Sequence, residues 1–270
     1  MFIRVVVGLA LVALLFMILF VLPGWALSAV VAVFSVAAVF EFLHPTGFVK
    51  RLPIVLCAMA YAAAYPPVCC WLPEQAQYAL LFFFVAVLFS IAIADHKNVT
   101  AAQVGLAFLA GVSVPALLSG VTRIAQLEYG VYLLLLPFVC AYGNDTFALF
   151  AGLAAGRHKI APSISPKKTV EGFIGGIFGS LLLTVIYYVV LKYRFGVDLG
   201  LICAVLVGTL GALAAFLGDL SMSYIKRQAG IKDFSRIFPG HGGVLDRIDS
   251  LLFAVPVVEL ILVLFPAVRL

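Results

Sequence analysis

The sequence predicts an all-α polytopic membrane protein with about nine transmembrane helices and a cytoplasmic N-terminus. Of the 270 residues, 65% are hydrophobic and only 11% are charged, whereas soluble globular chains are about 25% charged. Apolar runs of roughly 20 residues recur along the chain and match the length of a membrane-spanning helix. The strands of a membrane barrel would instead be segments of about 10 residues with alternating polarity.

The predicted helices are separated by short breaks that contain proline or glycine, such as Pro23-Gly24 and Pro73. The first apolar run, Val5 to Leu22, has 18 residues and exceeds the roughly 7–15 of a signal-peptide core. No clear cleavage site follows it, so we expect a retained span. In chain order, the predicted helices are 3–22, 25–43, 53–71, 76–94, 101–119, 130–153, 172–192, 200–227 and 248–268.

The orientation follows from lysine and arginine in the connections, because these residues favour the cytoplasmic side. With the N-terminus inside, thirteen of them lie on the cytoplasmic side and four outside. The net charge of +5 is therefore mainly a topology signal, and secondarily an indication of an anionic partner such as a lipid head group or a nucleotide. We expect a multi-pass protein of the inner cell membrane.

The two halves of the chain differ in charge. Residues 1–140 contain nine charged side chains, and residues 141–270 contain twenty. We therefore predict an N-terminal transmembrane scaffold over 1–140 and a C-terminal catalytic region over 141–270, with cytoplasmic loops at 154–171 and 228–247.

The first polar segment contains Ser165, Lys167, Lys168 and Thr169 just before a glycine-rich helix. Ammonium groups, hydroxyls and the free backbone N–H groups of a helix start can bind phosphate oxygens. The cytoplasmic preference of lysine also explains this pattern, and on the pattern alone it is the favoured explanation.

The second polar segment, 219–249, holds 9 of the 29 charged residues although apolar runs flank it. Asp219 and Ser223 are spaced i,i+4 on a predicted helix, and Lys226 follows on the same face with Arg227 beside it. Charged residues persist within membrane-spanning segments where they face protein or water and serve a function. The sequence therefore predicts a polar pocket at the cytoplasmic end of this helix.

Asp246 and Asp249 are spaced i,i+3 at the start of the last predicted helix, with Arg247 between them. If the last two helices are antiparallel neighbours, these carboxylates converge with Asp219 and suit Mg²⁺, which prefers hard oxygen ligands. Neutralisation of the carboxylates by nearby lysine and arginine is an equally weighted alternative. The glycines of the segment 239–243 would let its backbone approach a ligand closely.

The residues of both segments resemble the signature of the phosphatidate cytidylyltransferases, also called CDP-diacylglycerol synthases. The resemblance covers about 144–249 and includes Asn144-Asp145. Its upstream run is Ser165-Pro166-Lys167-Lys168-Thr169-x-Glu171-Gly172. Its downstream run is Ser223-x-x-Lys226-Arg227-x-x-x-x-Lys232-Asp233-x-Ser235-x-x-Phe238-Pro239-x-His241-Gly242-Gly243-x-x-Asp246-Arg247-x-Asp249.

The resemblance implies an enzyme that condenses CTP with phosphatidic acid, yields CDP-diacylglycerol and pyrophosphate, and requires Mg²⁺. A second cation is left open. The partners implied are CTP, phosphatidic acid and membrane lipids, and we expect no nucleic acid partner. The predicted metal ligands, in descending order, are Asp246, Asp219 and Asp249, with Asp145 or Asn144 as a further contributor.

The remaining site residues are assigned to the substrates. We expect Lys226 and Arg227 to bind the triphosphate or the phosphatidate, and we expect Lys167 and Lys168 to bind the CTP phosphates. Together with Lys167 and Lys168, the predicted substrate-binding set comprises Ser165, Thr169, Ser223, Lys232, His241, Gly242, Gly243 and Arg247.

Two other function classes remain open on the sequence alone. A polyprenol or dolichol kinase would share the topology and the anionic substrates, and a transporter would also place carboxylates in the membrane. The runs Gly175-Gly176-x-x-Gly179 and Gly208-x-x-Gly211 permit close helix contacts and hence a homodimer. Glu41 and Glu259 have no evident partner.

Overall fold

A computed structural model describes residues 17, 23–235, 237 and 242–269 of the chain. Within these residues, seven helices are long and apolar enough to cross a membrane. The predicted all-α polytopic membrane fold is therefore confirmed. The count of nine is not, since nearly all of the first predicted helix, 3–22, lies outside the described residues.

The helices observed in the described residues agree with the predicted ones to within a few residues over most of the chain. The predicted helices 101–119 and 130–153 each correspond to two consecutive helices. The helices are α1 (Gly24–Leu43), α2 (Leu52–Trp71), α3 (Glu74–Ala94), α4 (Ala101–Leu118), α5 (Gly120–Gln126), α6 (Gly130–Leu133), α7 (Leu136–Ala155), α8 (Val170–Phe195), α9 (Leu201–Gln228) and α10 (Leu245–Leu264).

The last helix, α10, corresponds to the predicted helix 248–268 and begins three residues earlier. It is not among the seven apolar helices, because it carries Asp246, Arg247, Asp249 and Glu259. The charged residues at its start lie in its first two turns, so they project from a regular helix.

Two short antiparallel strand pairs accompany the helices. Strand β1 (Lys159–Ala161) pairs with β2 (Ser165–Thr169), and β3 (Val197–Asp198) pairs with β4 (Val268–Arg269). The first pair occupies the predicted loop 154–171, and β2 leads directly into α8. The hairpin therefore fixes the lysine-containing segment at the start of a helix.

The chain divides into two compact units, Met1–Thr122 with Gln228–Arg247, and Arg123–Arg227 with Ile248–Leu270. We call them the first and second units. The predicted division at residue 140 concerned catalytic roles, and it stays a prediction.

In the first unit, α1 packs against α2 and α4, and α2 also packs against α3. Gly111 of α4 lies close to α2, where an added Cβ would be 3.3 Å from the Cβ of Ala58. The ring of Tyr61 in α2 lies 4.6 Å from that of Phe84 in α3. Small residues and closely packed aromatic rings thus hold these apolar helices together, as expected where helix association depends on close packing.

In the second unit, glycines let helix backbones approach closely. An added Cβ on Gly176 of α8 would lie 2.9 Å from the carbonyl oxygen of Asn144 in α7, and one on Gly208 of α9 would lie 2.8 Å from Cα of Leu181 in α8. The glycine runs noted in the sequence therefore make contacts within the chain. A homodimer stays a prediction, and these glycines no longer argue for it.

Glu259, which had no evident partner in the sequence, forms an ion pair in the second unit. Nε and Nη2 of Arg123 donate to Oε1 and Oε2 of Glu259 at 2.5 and 2.8 Å. Solvent reaches 33% of the Arg123 side-chain surface and 17% of the Glu259 side-chain surface. A two-point arginine–carboxylate contact fixes orientation as well as distance, so this pair ties α5 to α10.

Candidate active site

Three carboxylates from three helices come together in the second unit. Asp145 of α7 accepts a hydrogen bond from the Ser250 hydroxyl of α10 at 3.1 Å, and it interacts electrostatically with Asp219 of α9. Asp249 of α10 interacts with both of these carboxylates and with Lys226. Like charges so close together repel, so cations must offset them if the carboxylates are to stay charged.

The close approach of α9 and α10 explains how Asp219 reaches Asp249. Gly218 precedes Asp219, and a Cβ added to it would overlap the backbone carbonyl oxygen of Asp249. The absence of a side chain at this position lets the two backbones touch. The predicted convergence of Asp219 and Asp249 from neighbouring helices therefore has a direct structural basis.

Lys168 supplies one of the neighbouring cations. Its ammonium lies 2.7 Å from Oδ2 of Asp219, with 17% and 29% of the two side chains exposed, and 4.4 Å from the ring centroid of Phe216. The Ser223 hydroxyl donates to Oδ1 of Asp219 at 3.4 Å. Both oxygens of Asp219 thus have partners, and the lysine that contacts it comes from β2.

In the rest of the lysine-containing segment, some side chains are exposed and others support the local fold. Lys167 is exposed and Ser165 is half-buried. Thr169 is buried, and its hydroxyl accepts a hydrogen bond from the Gly172 N–H at 3.1 Å, which makes it the N-cap of α8. Nε of Arg227 donates to the Ile164 carbonyl at 3.1 Å, which links the end of α9 to the hairpin.

Asn144 is buried against α8, and its side-chain NH₂ lies 3.4 Å from Oδ1 of Asp145. Its own Oδ1 accepts no hydrogen bond from any residue that the structure describes. Buried polar atoms are usually satisfied, so such an atom calls for an explanation. An unmet acceptor beside a carboxylate cluster is compatible with a bound cation or water.

Asp246, the leading predicted metal ligand, has a different environment in the first unit. It is buried, and its Oδ2 accepts hydrogen bonds from the backbone N–H groups of Phe234 and Gly243 at 2.9 and 3.0 Å. One carboxylate oxygen is therefore used to hold the chain that precedes α10. A metal-binding role for Asp246 stays a prediction.

The other predicted site residues of the 228–247 loop are unevenly placed. Lys232 and Arg247 are exposed. Gly242 has a φ of +83° and Gly243 is buried. His241 lies outside the described residues, so its predicted role in the nucleotide pocket stays a prediction.

The sequence did not indicate the contacts of two residues, Glu41 in the first unit and Ser250 in the second. Glu41 is the one charged residue of α1, and a charged residue within a membrane-spanning helix is itself an indication of function. It is completely buried and accepts hydrogen bonds from the chain around Ser235 and Val244. Ser250 follows Asp249 directly, but no spacing in the sequence indicates its contact with Asp145.

The chemistry of the carboxylate cluster fits a hard divalent cation. Carboxylate oxygens from Asp145, Asp219 and Asp249, together with the unmet amide oxygen of Asn144, are the donors that Mg²⁺ prefers. As arranged, no three histidine, cysteine or acidic side chains of the described residues form a group that could hold a metal. Since the Lys168 ammonium already contacts Asp219, a cation would have to displace it.

Comparison with known proteins identifies relatives of the chain. A sequence model of the cytidylyltransferase family matches residues 2–265. A phosphatidate cytidylyltransferase of Staphylococcus saprophyticus is 31% identical over 224 residues, which are 83% of this chain and 81% of that protein. Proteins of the same name from Staphylococcus aureus (strain COL) and Haemophilus influenzae are 42% and 41% identical over 136 and 128 residues, about half of each chain.

Proposed function

Because the chain belongs to the cytidylyltransferase family, we propose that it transfers the cytidylyl group of CTP to phosphatidic acid. The products are CDP-diacylglycerol and pyrophosphate. The observation that carries this proposal is the cluster of Asp145, Asp219 and Asp249 beside Lys168 in a unit built from apolar helices. A cation held by these carboxylates, together with Lys168, would offset the charge of two anionic substrates, one of which is a lipid.

The reaction is an in-line displacement at phosphorus. A phosphate oxygen of phosphatidic acid forms a bond to the α-phosphorus of CTP, and the bond from that phosphorus to the bridging oxygen of the β-phosphate breaks. Pyrophosphate leaves with the bonding electron pair. Repulsion between the two phosphates opposes the approach, so catalysis depends largely on positioning and on neutralising charge.

The basic side chains of the second unit can perform both tasks. Lys168 lies at the carboxylate cluster, and Lys226 interacts with Asp249 at the end of α9. We assign Lys167 and Lys168 to the CTP phosphates, and Lys226 and Arg227 to the triphosphate or the phosphatidate. The predicted parts of Ser165, Thr169, Lys232 and Arg247 in substrate binding remain part of this proposal.

The fit of the donor set supports a divalent cation, with Mg²⁺ as the expected ion. Asp145, Asp219 and Asp249 would hold it, and Asn144 would contribute its amide oxygen. When bound, the cation supplies positive charge that offsets the charge of the phosphates. Asp246 is a further ligand in this proposal, and a second cation remains open.

The protein is an integral membrane protein, and we propose that its site faces the cytoplasm, where CTP is available. Thirteen of the seventeen lysine and arginine residues lie on the predicted cytoplasmic side. The lipid substrate would enter from the bilayer, and the nucleotide from the water. The cytoplasmic membrane and this orientation are both part of the proposal.

The test follows labelled CTP in lipid nanodiscs that contain phosphatidic acid. With CTP labelled at the α-phosphate, the purified chain should move label into lipid and release unlabelled pyrophosphate. Transfer of label from the γ-phosphate would instead indicate a lipid kinase and would refute the proposal.

Substitution of Asp219 connects the activity to the carboxylate cluster. Asp219→Asn removes the charge that contacts Lys168, and we expect kcat to fall by about 10²–10³-fold, the range seen when one preorganised electrostatic group is lost. Asp95→Asn is the matched control, since Asp95 forms an exposed ion pair with Arg51. Near-normal turnover of Asp219→Asn would exclude Asp219 from the site.

A further inference from the structure

Glu41 is a completely buried carboxylate that contacts both ends of one chain segment in the first unit. Its Oε1 accepts hydrogen bonds from the Ser235 hydroxyl at 2.5 Å and from the Val244 N–H at 3.0 Å. Its Oε2 accepts from the Leu245 N–H at 2.7 Å. These contacts join α1 to residues about 200 positions later in the chain, which no pattern along one helix could indicate.

Two of these donors belong to the start of α10, which begins at Leu245. The first N–H groups of a helix have no partner within the helix, and negative charge near them is favourable. A side chain just before the helix usually caps these groups. Here, the carboxylate of Glu41 caps them from a different helix.

Asp246 makes a second connection across the same segment. Its Oδ2 accepts hydrogen bonds from the Phe234 N–H at 2.9 Å and from the Gly243 N–H at 3.0 Å. Glu41 and Asp246 thus each bind one residue at 234–235 and at least one at 243–245. The two carboxylates together hold residues 234–235 next to residues 243–245 at the start of α10.

The glycine pair explains how the two carboxylates reach the backbone. A Cβ added to Gly243 would overlap both carboxylate oxygens of Glu41, and one added to Gly242 would lie 2.8 Å from Oδ2 of Asp246. Gly242 also has a φ of +83°, a conformation that residues with a Cβ rarely adopt. Gly242 and Gly243 are therefore required by the acidic side chains that press against them.

We infer that Glu41 is a positioning residue for cytidylyl transfer, an inference that rests on the proposed function. It fixes the first turn of α10, which carries Asp246, and Asp249 follows one turn later on the same helix. Small displacements of reacting groups cost large factors in rate, because catalysis here depends on alignment. Loss of the Glu41 carboxylate should therefore lower the rate of transfer more than it changes substrate binding.

The first experiment replaces Glu41 by glutamine in the full chain. Glu41→Gln keeps the size of the side chain but turns one acceptor oxygen into a donor NH₂ that faces a donor. We expect kcat to fall about 10- to 100-fold, while KM for CTP and for phosphatidic acid changes by less than threefold. Glu41→Asp, which keeps a carboxylate, should recover part of the lost rate. Glu74→Gln is the matched control, because Glu74 is an exposed glutamate of the same unit.

The second experiment measures hydrogen exchange of backbone amides in protein without substrates. In Glu41→Gln, exchange of the Val244 and Leu245 amides should become faster, and amides of α2 and α4 should be unchanged. This readout does not depend on turnover, so it tests the contact even if the proposed function fails. If exchange becomes faster but kcat stays within twofold of wild type, Glu41 is only structural and the inference is overturned.

A milder variant covers the case in which Glu41→Gln does not fold. Ser235→Ala removes one of the three hydrogen bonds that described residues donate to Glu41, and we expect kcat to fall several-fold with faster exchange at Val244. Gly243→Ala should lower kcat by a much smaller factor in a Glu41→Ala background than in wild type, since the added Cβ no longer overlaps the carboxylate. The inference would be overturned if Ser235→Ala kept full kcat and unchanged exchange. It would also be overturned if Gly243→Ala lowered kcat by the same factor in both backgrounds.

Discussion

Replacing Lys168 by methionine should make the protein bind a divalent cation more tightly when no nucleotide is present. The Lys168 ammonium lies 2.7 Å from Oδ2 of Asp219, an oxygen that we propose as a cation ligand. A cation can take this oxygen only after the ammonium leaves. Methionine keeps an unbranched apolar side chain beside Phe216 but removes the competing charge.

The structure sets the size of this effect. Lys168 and Asp219 form an ion pair, and such a pair contributes at most about 1 kcal/mol when exposed, whereas breaking a buried pair costs roughly 3–5 kcal/mol. The pair is partly exposed, at 17% and 29% for the two side chains, so the unscreened attraction of about 6 kcal/mol at an effective dielectric constant of 20 does not apply in full. Since 1.4 kcal/mol is a factor of ten in affinity, we expect binding to tighten about 10- to 100-fold.

The assay uses Mn²⁺ as a paramagnetic substitute for Mg²⁺ and measures free Mn²⁺ by electron paramagnetic resonance in nucleotide-free nanodiscs. The same Lys168→Met protein should bind CTP more weakly and turn over more slowly, because the lysine is also assigned to the phosphates. For Mn²⁺ binding, Lys167→Met is the matched control, as Lys167 is the exposed neighbour on the same strand. If Lys168→Met binds Mn²⁺ no more tightly than wild type, Asp219 and Lys168 do not compete for a cation.

Two further predictions concern stability. Glu259→Gln removes the carboxylate that binds Arg123 at two points, and we expect the free energy of unfolding in detergent to fall by about 2 kcal/mol, between the values for exposed and fully buried ion pairs. Arg51→Met breaks an exposed ion pair and should lower the free energy of unfolding by less than about 1 kcal/mol. Equal losses in the two variants would contradict this reasoning. Thr169→Ala removes the N-cap of α8 and should cost about 1 kcal/mol, whereas Thr169→Ser keeps the hydroxyl and should cost less; thermal unfolding of the two variants checks the order.

The sequence predicted the helices well because each membrane-spanning helix must bury an apolar run of fixed length. The predicted 25–43 and 53–71 differ from the observed Gly24–Leu43 and Leu52–Trp71 by one residue at the start. The strands of the hairpin at 159–169 escaped prediction, since they are three and five residues long. Strands this short leave no clear alternation of polarity in the sequence.

The sequence could predict which site residues come together where they lie on one face of a helix or on adjacent helices. Asp219 and Asp249 were placed together from spacing and from an assumed antiparallel pair of helices, and the structure brings their charges into interaction. The contacts of Asp145 with Ser250 and of Lys168 with Asp219 join distant parts of the chain. Spacing along one helix carries no information on such pairs.

Asp246 and Asp249 show that two carboxylates on the same face of a helix need not have the same role. Both lie on one face at the start of α10, so the sequence treats them as one pair of ligands. In the structure, Asp246 holds the backbone at Phe234 and Gly243, whereas Asp249 interacts with the charges of Asp219 and Lys226. Asp246 therefore helps to hold the chain before α10, and Asp249 joins the carboxylate cluster from the next turn of the same helix. Glu41 accepts hydrogen bonds from the Val244 and Leu245 N–H groups at the start of this helix, and for this reason we propose that it acts on the reaction through the position of α10.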